Sequence, residues 1–205
     1  MGFERRTMTK HREDIILASA SPRRKEMFEE RGIPVEIFPS NAEENLPISM
    51  DPETATMYLA LSKAMDVASK RQGLIIAADT VVVFGGEIIG KPKDREEAFN
   101  VLSSLRGNSH TVVTGVCVID NAAGSDRDEP DSSPIKRCLY DVSRVYFTEF
   151  SDEELEAYVN TDEPYDKAGG YAIQQTFGRY IDRVDGDIDN VIGFPMYRVE
   201  GLLLK

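Results

Sequence analysis

An α/β fold is what this sequence predicts, and three observations predict it. Apolar runs such as "LIIAA" and "HTVVTGVCVID" read as strands. Between them lie segments whose apolar residues recur at helical spacing, several opened by a capping residue and closed by glycine. The two kinds of segment alternate along the chain, the arrangement that builds a sheet flanked by helices.

Taken in order, Ile15 to Ala18 forms a first strand. Ser21 and Pro22 then read as the N-cap and first residue of a helix that Gly32 ends. "PVEIFPS" reads as a second strand running to Ser40, followed by the polar loop "NAEENLP". Asp51-Pro52 starts a helix with apolar positions Met57, Leu61, Ala64 and Ala68. Val81 to Phe84 and Glu87 to Ile89 flank Gly85-Gly86, a hairpin signal. Asp94 and Glu97 make a capping-box-like start for a helix with core positions Ala98, Val101, Leu102 and Leu105, closed by Gly107. The strand "HTVVTGVCVID" follows, and the turn-rich stretch Asn121 to Pro134 connects it to a strand over Leu139 to Phe147. Ser151 and Glu154 form another capping box, ahead of a helix carrying Leu155, Tyr158 and Val159. A strand near Tyr180 to Val184, the turn "DGD" and a last helix from Pro195, with Met196, Val199 and Leu203, complete the chain.

With 205 residues, 41% hydrophobic and 29% charged, one domain over residues 15–205 can bury a substantial core. Residues 1–14 read as a polar N-terminal extension, and an acidic loop is inserted at about 121–136. The formal net charge of −12 argues against nucleic acid or an anionic membrane as partner. No apolar run approaches a membrane span, and Arg6 stands where a myristoylation signal at Gly2 wants Ser or Thr. Cys117 and Cys138 have no metal-like spacing and lie among apolar neighbours, so free buried thiols in a reducing, cytoplasmic compartment are expected.

Arg23, Arg24 and Lys25 crowd a helix start that free N–H groups and the macrodipole already make positive. An anion there, contacting Ser21 and Arg24, removes the conflict; otherwise the side chains extend into solvent or pair with Glu26, Glu29 or Glu30. Asp79 stands alone between two apolar runs, which calls for a cation, a metal or hydrogen-bond donors, unless Asp79 and Thr80 only mark a bend. A two-residue turn pairs Phe84 with Glu87 and brings Lys91 opposite Thr80, beside Asp79. Side-chain alternation then requires a bulge or twist near Gly90 to aim Lys91 at Asp79; without one, Lys91 is a surface lysine or a partner of Asp94. Glu43 and Glu44 are either solvated loop acids or, with Asp79, part of an all-oxygen site for Mg²⁺ or Mn²⁺. His11 and His110 are too few and too separated for zinc. In "DEPYDKAGGYAIQQ", Lys167 near Gly169-Gly170 could meet a phosphate, and a plain surface turn explains the glycines equally well. Walker and dinucleotide fingerprints are absent.

In this order, "LASASPRR", the Glu44 loop, "ALSKA" around Lys63, "AADTVV", "GKP" at Gly90 to Pro92, "TGV", "DEPYDKAGGYAIQ" and "NVIGFP" resemble the Maf family of nucleoside triphosphate pyrophosphatases. The resemblance runs from Ile15 to near the C-terminus, and "DKAG-Y-IQ" looks like the branch acting on dTTP and UTP. It implies an elongated, twisted mixed sheet flanked by helices, two lobes around a central cleft, a homodimer, and metal-dependent hydrolysis between the α and β phosphates. Carried onto this chain, Ser21 and Arg24, with Arg23 close by, match the phosphate-binding start. Glu44, Asp79 and Lys91 match the catalytic acids and lysine, the two acids holding Mg²⁺ or Mn²⁺. Lys63, Lys167 and Gln174 match residues lining the nucleotide cleft, and Thr80 joins the substrate contacts beside Asp79. In this reading Asp79 is the first choice for general base and Gln174 reads the base edge. Arg106 and Gln175 depart from the common pattern. The competing reading is a non-catalytic nucleotide-binding regulator on the same fold, prompted by the family's association with septum formation.

Overall fold

The computed structural model describes residues 15–121 and 135–203; the N-terminal extension and most of the acidic insert lie outside the described residues. Seven strands form one mixed sheet: β1 (Ile15–Leu17), β2 (Glu36–Ile37), β3 (Leu74–Phe84), β4 (Glu87–Ile89), β5 (Ser109–Asp120), β6 (Ile135–Phe147) and β7 (Ile181–Asp185), in the order β2-β1-β3-β5-β6-β7, with β4 off the path on β3. β1 runs parallel to β2 and β3, while the other pairings are antiparallel. Among the described residues six α-helices flank it: α1 (Pro22–Glu30), α2 (Pro52–Ala68), α3 (Arg95–Leu105), α4 (Asp152–Val159), α5 (Ile188–Ile192) and α6 (Met196–Leu203).

Alternation along β3 assigns its two faces. Ile75 and Ala77 pack with Cys117, Ile119 and with Ala60, Ala64 and Val67 of α2. Ile76 and Ala78 pack on the other face with Met27 and Phe28 of α1 and Met196 and Val199 of α6. A third core, built from Leu102 and Leu105 of α3, Leu155 and Tyr158 of α4, Phe147 and Phe177, fills the opposite lobe. The α2 face is closely packed at Gly115, where an added Cβ would lie 2.3 Å from the carbonyl carbon of Thr56. Only glycine lets the helix come so near the strand.

Several expected elements form as anticipated. The hairpin turns at Gly85-Gly86, both at positive φ, and pairs Phe84 with Glu87. Ser151 and Glu154 make a complete reciprocal capping box. Around Asp94 the box is altered: its side chain accepts from Glu97 N–H, but Glu97 accepts from Lys93 N–H instead of from Asp94.

Other expectations are corrected. β2 stops at Ile37 rather than Ser40, because Ser40 and the Asn41 N–H instead bond the Asp66 carboxylate of α2. In α2 the fully buried positions are Ala55, Thr56, Leu59, Ala60, Ala64 and Val67, whereas Met57, Leu61 and Ala68 are half-buried. β6 begins at Ile135, so its first residues belong to the sheet rather than to the insert. The segment after "DGD" holds α5, whose five residues are too few to show helical periodicity. Cys117 is buried as expected, but Cys138 is exposed. The side chain of Leu203 lies outside the described residues.

Candidate active site

β1 pairs with β3 only as far as Leu17 and Ile76, and β4 joins the same edge only from Val82. Between these points no described strand pairs with that edge of β3, and a cleft of about 610 Å³ opens beside the gap. Adjacent residues of a strand point to opposite faces, so a gap lets both reach one cleft. Asp79 reaches it from the α2 side and Thr80 from the α1 side, and both line it. The gap also lies at the C-terminal end of β1, where parallel strands commonly place ligands.

On the α2 side, the Lys63 ammonium sits 2.6 Å from Asp79 Oδ1 and 2.7 Å from Glu44 Oε1. Lys63 comes from the inward stripe of α2, one turn beyond Leu59 and Ala60. The hydrogen bond from Lys63 is the leading reason that Glu44 is held below the usual glutamate range. Asp79 is only 9% exposed, and Lys63 is the partner that makes its burial tolerable. Lys91 does not take that role. The ladder ends at Ile89, the Gly90 carbonyl accepts from Gly169 N–H at 3.0 Å, and the exposed Lys91 ammonium comes 3.9 Å from Glu44.

On the α1 side, Ser21 is the N-cap residue by position, yet its hydroxyl makes no capping bond and faces the cleft. The three adjacent cations separate. Lys25 pairs with Glu29 at 3.1 Å on the surface, and Arg23 reaches Asp166 at 3.6 Å. Arg24 turns inward: Nε donates to Gly193 O at 2.8 Å, Nη1 to Ser19 Oγ at 3.2 Å and Nη2 to Thr80 Oγ1 at 3.1 Å. These acceptors are neutral, and burial holds the guanidinium below its usual pKa against the raising influence of Asp79. Behind Thr80, its hydroxyl meets Thr114 Oγ1 at 2.9 Å, Thr114 donates to Asn190 O at 3.0 Å, and Asn190 Nδ2 donates to Val112 O and Ser143 Oγ. The motif around Asn190 therefore acts as a buried support for Arg24.

The glycine-bearing segment closes the cleft. Lys167 is 4% exposed and donates to Glu163 O and the Asp166 carboxylate. Burial raises the Asp166 pKa, but the hydrogen bond and charge of Lys167, with the charge of Arg23, outweigh it and leave the group below its ordinary value. Gln174 is exposed at the cleft wall. One cavity is thus lined by Ser21, Arg23, Arg24, Glu44, Lys63, Asp79, Thr80, Lys91, Lys167 and Gln174, whereas Glu43, which accepts from Asn45 Nδ2 at 3.1 Å, does not line it. Arg106 and Gln175 do not line it; Arg106 pairs with Asp152 at 2.6 Å and covers the Phe150 ring.

Sequence reading missed Ser19, Thr114 and Asn190; of its two alternatives for Lys91 the exposed one holds, and Lys63 is the lysine that meets Asp79. The helical spacing of Thr56, Leu59, Ala60, Lys63, Ala64 and Val67 carries a signal for Lys63, since a lysine on an inward stripe wants a buried acid. Five cationic side chains face three carboxylates in the cleft, which favours an anionic ligand. Among the described residues no group of three or more His, Cys, Asp or Glu is placed to hold a metal. Two carboxylates converging on one ammonium suit a hard cation that completes its shell with water and phosphate oxygens, as Mg²⁺ and Mn²⁺ do.

The arrangement defines a mixed α/β protein with a polyanion-accepting cleft at a break in its sheet. The family model described as "Maf-like protein" matches residues 14–205, and the chain belongs to the Maf family. A dTTP/UTP pyrophosphatase of Caldicellulosiruptor bescii is 43% identical over 198 residues, covering 93% of this chain and 94% of that protein. One from Ruminiclostridium cellulolyticum is 40% identical over 94% of this chain and 95% of its own length. Another, from Geotalea uraniireducens, is 42% identical over 97% of each. Among solved structures, the Ham1 protein of Staphylococcus aureus aligns over 93% of this chain and 97% of its own with a TM-score of 0.48 and 14% identity, too distant to carry an argument.

Proposed function

We propose that this protein is a metal-dependent nucleoside triphosphate pyrophosphatase that hydrolyses the α–β phosphoanhydride of dTTP or UTP to the nucleoside monophosphate and pyrophosphate. The observation that carries the reading is the convergence of Glu44 and Asp79 on the Lys63 ammonium, in the same cleft as Arg24, whose three hydrogen-bond acceptors are neutral. The names of the relatives support the substrate class and the pyrimidine bases. The cleft volume of about 610 Å³, within the usual size of a small-ligand site, supports a substrate of nucleotide size.

The chain's own residues divide the work. Asp79 accepts the proton of the attacking water as general base, and Glu44 and Asp79 are the residues that would hold a divalent cation. That cation, when bound, neutralises phosphate charge and makes its water more acidic. Water oxygen bonds to the α phosphorus, the bridging bond to the β phosphate breaks, and pyrophosphate leaves. Arg24 and Lys91 face the charge that develops on the phosphates, and Arg24 needs no reorganisation because its three neutral contacts already fix it. Lys63 balances the two acids, and Gln174 offers both donor and acceptor to the base edge. Lys167 closes the cleft, and homodimer formation and a cytoplasmic location complete the proposal.

Pyrophosphate release from a panel of nucleoside triphosphates with Mg²⁺ or Mn²⁺ tests it. Release from dTTP or UTP, abolished in Asp79→Asn, is the expected result. Tight nucleotide binding without turnover under either metal would instead support a regulator.

A further inference from the structure

Outside the cleft, one other pair of chemically reactive side chains is brought together. Cys117 of β5 and Cys138 of β6 are direct partners in the antiparallel ladder, on the sheet face that carries α2. Directly opposed residues in such a ladder have Cα atoms about 4.5 or 5.5 Å apart, depending on the pair type. Both separations fall within the roughly 4.4–6.8 Å Cα range of a disulfide, so the two strands already hold the pair at bridging distance. The two thiols differ in setting. Cys117 is buried under Ala60, Ala64 and Val67 of α2, and Cys138 is exposed. Neither lines the cleft.

We propose that Cys117 and Cys138 form a peroxide-responsive modification site, in which Cys138 is oxidised first and Cys117 resolves it to an intramolecular cross-strand disulfide. In the first step the Cys138 thiolate attacks one oxygen of a hydroperoxide, the O–O bond breaks, and the departing hydroxide takes the proton that the thiol lost, forming water. The product is a sulfenic acid. The Cys117 sulfur then attacks the Cys138 sulfur, the S–O bond breaks, and the leaving hydroxide takes the Cys117 proton as a second water. Two electrons pass from the sulfur pair to the peroxide, and an external dithiol returns them.

The asymmetry supports this order. The hydrogen bond from Cys117 brings the Cys138 thiol down to about 7, while that same contact, with burial, pushes Cys117 up. Exposure and thiolate character together mark the attacking cysteine. A buried partner directly across the ladder has the geometry of a resolving one. Lys136, two residues before Cys138 and on the same face of β6, adds positive charge near the pair.

The test treats the full-length protein with about one equivalent of hydrogen peroxide per chain, followed by intact mass, non-reducing peptide mapping and free-thiol titration. The expected result is loss of both free thiols, a mass decrease of two hydrogen atoms, one peptide linkage joining residues 117 and 138, and full reversal by dithiothreitol. Without peroxide, iodoacetamide labels the exposed Cys138 before the buried Cys117. In Cys117→Ser, checked for folding by circular dichroism, oxidation stops at a Cys138 sulfenic acid that dimedone traps. Thiols that react only after denaturation would overturn the proposal. So would a disulfide linking Cys138 of two copies.

Discussion

Arg24 is held by the Gly193 carbonyl and the hydroxyls of Ser19 and Thr80, none of which returns a negative charge. A half-buried cation in neutral company is a local cost that a bound anion offsets. Replacing it by methionine keeps much of the volume and removes the charge. Arg24→Met is expected to lower kcat/KM roughly 100-fold, the size found when one transition-state donor is lost. Steady-state kinetics with UTP or dTTP checks this; unchanged kinetics would remove Arg24 from the phosphate site. His110 supplies a second test at this scale. Burial lowers its pKa to about 4, and its Nε2 lies 2.5 Å from the Tyr171 hydroxyl. The unfolded chain, with an ordinary histidine near pH ~6.5, therefore binds more protons between that value and about 4. Stability from this group is complete above the unfolded value and is lost as pH falls to the folded one, by at most ~3 kcal/mol. His110→Gln should flatten the pH dependence of denaturant unfolding in that window while leaving the neutral-pH cleft chemistry in place.

At the scale of elements, the position of Lys63 depends on how closely α2 lies on β5. Gly115, in register with Asp79, permits that approach, and a methyl there meets the backbone of Thr56 and Met57. Gly115→Ala should destabilise the fold by at least about 2 kcal/mol, because backbone cannot yield as a side-chain tip can. It should also depress activity by moving Lys63 away from Glu44 and Asp79. Thermal unfolding and turnover measured on the same preparation separate the two effects. Local sequence made the hairpin, the caps at Ser151 and Asp51 and the long strands legible, since each depends on neighbours in the chain. It left α5 unread, because its few residues gain their order from Asn190 bonding into β5 and β6. It left Lys91 to depend on a bulge or twist near Gly90, and the ladder ends at Ile89, with the Gly90 carbonyl accepting from Gly169 N–H and Lys91 exposed. Lys63 was legible as a cleft residue, but not as the bridge between two acids. That role depends on a packing distance no local pattern encodes.

For the whole molecule, the break in the sheet edge between β1 and β4 organises the site. It joins the α1 and α2 faces, so a cationic half built on Arg24 meets an acidic half built on Glu44 and Asp79 inside one cavity. Opposite charges in one cleft suit a substrate that is polyanionic and arrives with a divalent cation. This account requires water to attack the α phosphorus with Asp79 as base. The most direct test is hydrolysis of dTTP or UTP in heavy-oxygen water, with the products resolved by mass. The account predicts the heavy oxygen in the nucleoside monophosphate, none in pyrophosphate, and no incorporation with Asp79→Asn. Label in pyrophosphate or orthophosphate, with the monophosphate unlabelled, would contradict it.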